Sequence, residues 1–176
     1  MKVSHAISLG LTALLFSTLN TQAMANAPTA APPPPPDQMV QLSSVGHLVT
    51  HDNRISSFKT LIHQAKLESV LHAHGAMTLF APSNEALAEL PKSISHKLEH
   101  DTKFRKAFIM SHLFSGKMST DFLKKTDTIR AFTAREYIIR KENNAVLVGN
   151  QSFLAHDINA SNGMLHIVNG PLAQAD

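Results

Sequence analysis

Hydrophobic periodicity changes character part-way along this chain, and that change restricts the folds open to it. Phe58, Leu61, Ile62 and Ala65 recur at the 3.6-residue period of a helix, with Ser56 or Ser57 placed to cap it. Leu67, Val70 and Leu71 continue in a second short turn that Gly75 ends. Asp101 or Thr102 opens a further helical pattern carrying Phe104, Ala107, Phe108 and Leu113, which Gly116 closes, and Ser119 or Thr120 starts another with Phe122 and Leu123 inward. From Thr128 onward the apolar runs are short: Ile129–Thr133, Tyr137–Arg140, Ala145–Val148, Ser152–His156 and Met164–Val168. Glu142-Asn143-Asn144, Gly149-Asn150 and Asn162-Gly163 separate them as turns. Helices grouped first and strands grouped later specify an α+β domain rather than alternating βαβ units.

The N-terminus has a different composition. Lys2 and His5 precede an apolar run from Ala6 to Leu19, and Ala23-Met24-Ala25 places small residues where a signal peptidase reads them. The run is shorter than the roughly 20 residues a membrane span needs. Residues 1–25 therefore read as a secretory signal cleaved after Ala25, leaving no transmembrane segment. Residues 26–37 contain Pro28 and the run Pro32–Pro36, a semi-rigid extended spacer. Residues 38–176 form one domain, long enough to rely on its own core although the chain has no Cys. The formal net charge is only +3 over the whole chain. The basic residues are scattered without an aromatic ladder, which argues against a nucleic-acid partner; the densest group, Lys103-Phe104-Arg105-Lys106, reads as a solvated helix face.

Two blocks stand out from the rest. In Thr78-Leu79-Phe80-Ala81-Pro82-Ser83-Asn84-Glu85-Ala86-Leu87, a β-prone run meets Pro82, Ser83 caps a short helix with Glu85 in its first turn, and Pro91 lies beyond. In Asp157-Ile158-Asn159-Ala160-Ser161-Asn162-Gly163-Met164-Leu165-His166-Ile167-Val168, the Asn162-Gly163 pair is suited to the positive φ angles of a tight hairpin between antiparallel strands. On that assignment Gly163→Val is expected to destabilise by forcing a branched residue to positive φ.

In order and separation the two blocks resemble the signature segments of a fasciclin-like domain, over roughly Ser56 to Leu172. The resemblance implies a compact fasciclin-like β-sandwich, or wedge, flanked by several short helices. It also implies an adhesion and interaction module rather than an enzyme. Many members carry Tyr-His near the end of the central helix, a segment tied to adhesion and integrin binding in animal members. The corresponding stretch is Ile109-Met110-Ser111-His112-Leu113-Phe114, with Ser111 in place of Tyr. The family's Asp-Ile pair before the last hairpin, linked to integrin contact, is matched by Asp157-Ile158, and the His of its last strand by His166.

His112, Leu113, Asp157 and Ile158 are thus the candidate partner-binding residues. Each also has a structural reading. His112 can be a core histidine with a hydrogen-bond partner, Asp157 can hold a turn by accepting backbone N–H bonds, and Ile158 can be core. Asn162 and Gly163 are read as turn chemistry and His166 as a packed strand residue. The chain is rich in histidine, with 11. His47/His51 and His96/His100 are spaced to share a helix face, but no pair belongs to a tighter ligand signature, so no metal site is assigned. The histidines would raise the charge as pH falls through about 6.5. There is no Gly-x-Ser-x-Gly elbow, no phosphate-cradling glycine loop and no Cys nucleophile, so neither catalysis nor a cofactor is expected. The expectation is an exported, non-enzymatic binding module, periplasmic or secreted and of bacterial type, contacting an extracellular or periplasmic protein or glycan. The alternative is a carrier of a small apolar ligand such as a carotenoid or lipid.

Overall fold

The computed structural model describes residues 43–142 and 145–172. The expected signal peptide and Pro-rich spacer, the first residues of the expected domain and the turn expected at Asn143-Asn144 lie outside the described residues.

Two sheets and seven helices are described. Helix α1 (Val45–His51) is capped by Ser44, whose hydroxyl accepts from His47 N–H. A 3-10 turn (Asn53–Ile55) leads directly into α2 (Ser56–Ala65). Neither Ser56 nor Ser57 caps α2 as the sequence predicts; Asn84 does so from elsewhere in the chain, its Oδ1 accepting Ser57 N–H at 2.9 Å. Lys66, in the left-handed region at φ 56°, ends α2, and α3 (Glu68–His72) follows. Strand β1 (Met77–Pro82) leads into α4 (Asn84–Ala88), where Ser83 is the expected cap, accepting Ala86 N–H at 3.1 Å.

Pro91 then starts a helix that the sequence pattern does not announce, α5 (Lys92–His100). Asp101 caps α6 (Thr102–Met110), accepting from both Lys103 and Phe104 N–H. The predicted continuation of α6 to Leu113 and Gly116 is replaced by a strand, β2 (Leu113–Ser115), because His112 turns the chain into pairing with β1. In α7 (Thr120–Leu123) only Leu123 points inward; Phe122 is 46 % exposed, contrary to the inward placement expected of it. The remaining strands are β3 (Thr128–Arg130), β4 (Glu136–Glu142), β5 (Ala145–Val148), β6 (Phe153–Ala160) and β7 (Gly163–Val168).

One sheet is mixed, in the order β2-β1-β7-β6, with β1 and β7 parallel and in register from Met77↔Gly163 to Pro82↔Val168. The other is antiparallel, β3-β4-β5. Because side chains alternate across a strand, the mixed sheet feeds two cores. Leu79, Ala81, Leu165 and Ile167 pack under the helices with Phe58, Ile62, Phe108 and Ile109. Phe80, Phe114 and Val168 face the antiparallel sheet, meeting Ile129, Tyr137, Ile139 and Val148. Layers of helices, mixed sheet and antiparallel sheet make this an α+β β-sandwich flanked by short helices.

Two expectations about local chemistry are corrected here. Arg105 does not belong to a solvated face: it is 6 % exposed and donates to the carbonyls of Leu98, Glu99 and Gln64, closing the C-terminal ends of α5 and α2. Gly163 does not have a positive φ; the residues with positive φ include Asp157 and Asn150 but not Asn162 or Gly163. Gly163 pairs with Ala160 across the hairpin, and a Cβ on it would lie 2.1 Å from the Met77 carbonyl oxygen. Its requirement is the close approach of β1, not the conformation of the turn.

Candidate functional site

His112 sits where α6 gives way to β2 and is fully buried. Its Nδ1–H donates to the Phe108 carbonyl at 2.7 Å, and its Nε2 accepts Leu172 N–H at 3.0 Å. Both ring nitrogens are therefore used by the neutral tautomer. Burial lowers its pKa to about 4, against a smaller opposing effect of the Phe108 carbonyl. Leu113 is also 0 % exposed. Neither side chain reaches the surface in this fold, so neither can meet a partner directly. Their place in the chain fixes a core and ties the C-terminal segment to it. Ser111 is buried as well, its hydroxyl donating to the Phe108 carbonyl at 2.6 Å.

Asp157 lies at a bulge of β6, at φ 57°. Its Oδ1 accepts Thr120 N–H at 2.8 Å, its Oδ2 accepts the Thr120 hydroxyl, and His156 Nδ1 lies 3.0 Å from the same oxygen. Partial burial would raise the carboxyl pKa, but the bonds from Thr120 and His156 outweigh it and hold the group below the ordinary aspartate value. Asp157 N–H in turn donates to His166 Nδ1 at 3.2 Å, and His166 Nε2–H donates to the Met118 carbonyl at 2.8 Å. The His166 ring stacks on Phe80, with centroids 4.9 Å apart, and burial lowers its pKa. Asp157 of β6 and His166 of β7 thus latch Thr120 of α7 and Met118 before it onto the mixed sheet. Ile158 is half-buried against the helical core.

Two large apolar side chains close to the latch in sequence are exposed. Phe122 lies two positions after Thr120 and is 46 % exposed; Leu154 lies three before Asp157 and is 56 % exposed. A four-residue helix is too short for its periodicity to reveal which side faces out, so the sequence placed Phe122 inward with Leu123. The hairpin residue Asn162 also does more than turn the chain. Its Oδ1 accepts Val45 N–H at 2.8 Å and its Nδ2 donates to the carbonyls of Leu71 and Ala73, clasping α1 and α3 to the end of β7. His47/His51 and His96/His100 do share helix faces, as stacked rings 3.9 Å and 4.2 Å apart. In each pair the second Nδ1 is spent on the first residue's carbonyl. Among the described residues no three His, Asp or Glu side chains gather as a metal would require.

The fasciclin domain family model matches residues 53–174, more than half of the chain and including all of β1 to β7. The chain belongs to the fasciclin domain family. Among relatives, the transforming growth factor-beta-induced protein ig-h3 of Sus scrofa is 26% identical over 128 residues, 73% of this chain but 19% of that protein. Human periostin is 29% identical over 141 residues, 76% of this chain and 16% of its own length. The chain therefore spans less than a fifth of these animal proteins. It spans 95% of the Synechocystis protein sll1735, at 25% identity over 72% of this chain. A solved FAS1 domain pair from the insect cell adhesion molecule Fasciclin I superposes with a TM-score of 0.65 at 15% identity, over 75% of this chain and 51% of that one, which establishes the shared fold. No helix among the described residues of this fasciclin domain is long and apolar enough to cross a membrane.

Proposed function

We propose that this fasciclin domain is an exported, non-enzymatic binding module that holds another extracellular or periplasmic protein, or a glycan, at the seam between α7 and β6. The observation that carries the reading is the Asp157–Thr120 latch, which ties α7 to β6, with Phe122 and Leu154 exposed two and three residues from it in sequence. Large exposed apolar side chains beside a rigid polar network favour binding, because a partner gains their burial without ordering the surface first. Family membership supports the same reading, since the insect relative of the fold is a cell adhesion molecule. On this reading Asp157 and Ile158 position the surface, and His112 and Leu113 hold the core beneath it.

The test is retention of beads coated with the domain on surfaces of whole source cells. Phe122→Ser with Leu154→Ser is expected to reduce retention at least tenfold with the melting temperature within a few degrees of the parent. Undiminished retention would remove this seam as the binding surface. Export is tested separately: the mature protein from the periplasm or medium is expected to begin at Asn26.

A further inference from the structure

The chain contains Asn-Gly twice, at Asn162-Gly163 and Asn169-Gly170, one at each end of β7. This dipeptide carries its own reaction. The backbone nitrogen of the residue after an asparagine can attack the side-chain amide carbon, and glycine, with no Cβ, hinders the approach least. The attack closes a succinimide ring and expels ammonia. Water then opens the ring at either carbonyl and leaves aspartate or isoaspartate, with nothing oxidised or reduced.

The fold treats the two sites differently. At Asn162 every participant is held. The leaving nitrogen, Nδ2, donates to the carbonyls of Leu71 at 2.8 Å and Ala73 at 3.0 Å, and Oδ1 accepts Val45 N–H. The attacking nitrogen belongs to Gly163, fixed in the ladder between Met77 and Ala160. Reaction there waits for these contacts to open together, and its rate falls with the small fraction of time they are open.

At Asn169 the strand has ended and the residue is exposed. Its Nδ2 and the Gly170 N–H make no hydrogen bond among the described residues, so leaving group and nucleophile are both unspent. Its Oδ1 accepts Ser152 N–H at 3.0 Å. That donor points at the oxygen on which negative charge gathers when the amide carbon is attacked, and so favours the attack. Gly170 is itself required by the packing, because a Cβ there would run into the Gln151 side-chain amide.

We propose that Asn169-Gly170 is a site of spontaneous isomerisation, at which the Gly170 nitrogen attacks Asn169 Cγ and the chain passes through a succinimide to isoaspartate, releasing the C-terminal segment from His112. Isoaspartate routes the main chain through the former side chain and lengthens it by one methylene. On one side of the insertion Asn169 N–H is held by the Ser152 carbonyl at 3.0 Å; on the other, Leu172 N–H donates to the buried His112 Nε2 at 3.0 Å. The added carbon shifts one anchor against the other, and the bond that must find a single ring nitrogen is the one lost. The aspartate product keeps the original main chain and still offers Ser152 N–H an acceptor. This site involves neither α7 nor the Asp157 latch and does not depend on the binding reading.

The experiment ages the full chain at mildly alkaline pH, native and in urea, and follows both asparagines by peptide mass spectrometry, with isoaspartate counted by isoaspartyl methyltransferase labelling. In the native chain Asn169 is expected to convert at least tenfold faster than Asn162. In urea, where both are simply Asn-Gly, the two rates are expected to come together. Equal native rates, or the same preference in urea, overturns the assignment of the site to the fold. The isoaspartyl chain, separated by chromatography, is expected to lose hydrogen-exchange protection at the Leu172 amide, whereas Asn169→Asp keeps it. Protection retained in the isoaspartyl chain, or lost equally in Asn169→Asp, overturns the release of the C-terminal segment.

Discussion

Two buried histidines, His112 after α6 and His166 in β7, are acceptors for backbone N–H groups: His112 for Leu172 and His166 for Asp157. An imidazole accepting at one nitrogen and donating at the other must stay neutral, and protonation of either ring would break the accepting bond. For His112 the folded pKa of about 4 lies below the ordinary value of 6.5. Between these values the unfolded chain binds the extra proton, so stability is full above about pH 6.5 and falls as pH drops toward 4. A shift of that size corresponds to about 3 kcal/mol for this group. Chemical denaturation of the parent and of His112→Gln from pH 7 to pH 4 measures it. The variant is expected to be less stable at pH 7 and to lose about one proton's worth of slope. An identical slope in both proteins would show that His112 does not titrate as described.

At the scale of elements, the decisive pairing is between β1 and β7, which run parallel over their whole lengths. Gly163 permits it, because any side chain there would enter the Met77 carbonyl. Gly163→Ala is therefore expected to cost about 3 kcal/mol or more, close to the effect of Gly163→Val, since the first carbon already makes the clash. If backbone conformation were the constraint, Ala would cost only about 1 kcal/mol. Urea denaturation of both variants separates the two explanations. Asn162 completes this junction: with its three bonds to Val45, Leu71 and Ala73 it carries the hairpin's position to α1 and α3. Asn162 was legible as a turn residue, in a turn it shares with Ser161 while Gly163 opens β7, but the larger duties of Asn162 and Gly163 lie in contacts with segments some 90 to 120 residues away and leave no local mark.

At the scale of the molecule, the two cores are unequally connected. The mixed sheet is sealed under the helices, whereas β3, β4 and β5 join it through an isolated bridge, Phe114↔Ala131, and the Phe132 N–H to Leu113 carbonyl bond at 2.9 Å. Fewer backbone bonds across that boundary give the antiparallel sheet a lower opening free energy than β1 and β7. Native-state hydrogen exchange is expected to show β1 and β7 amides exchanging last, at the global rate, and β3–β5 amides exchanging earlier. Equal protection in both sheets would mean that the sandwich opens as one unit.

The sequence by itself determined what depends on nearby residues. It marked the caps at Ser83 and Asp101, the short strands after residue 128, the antiparallel hairpin before Met164 and the α+β order of elements, because a cap or an alternating run is specified within a few positions. The family resemblance, carried by two continuous blocks, was legible for the same reason. Tertiary structure alone decided what depends on distant partners. Leu113 became strand rather than helix because β1 offers it a ladder, Arg105 was buried because three carbonyls receive it, and Asn84 capped a helix it does not follow. Likewise, Asp157 met Thr120 only once β6 had folded back beside α7, and Phe122 and Leu154 were left exposed by the packing of their neighbours. Local propensity sets which elements can form; burial and pairing over long separations choose which side chains they show.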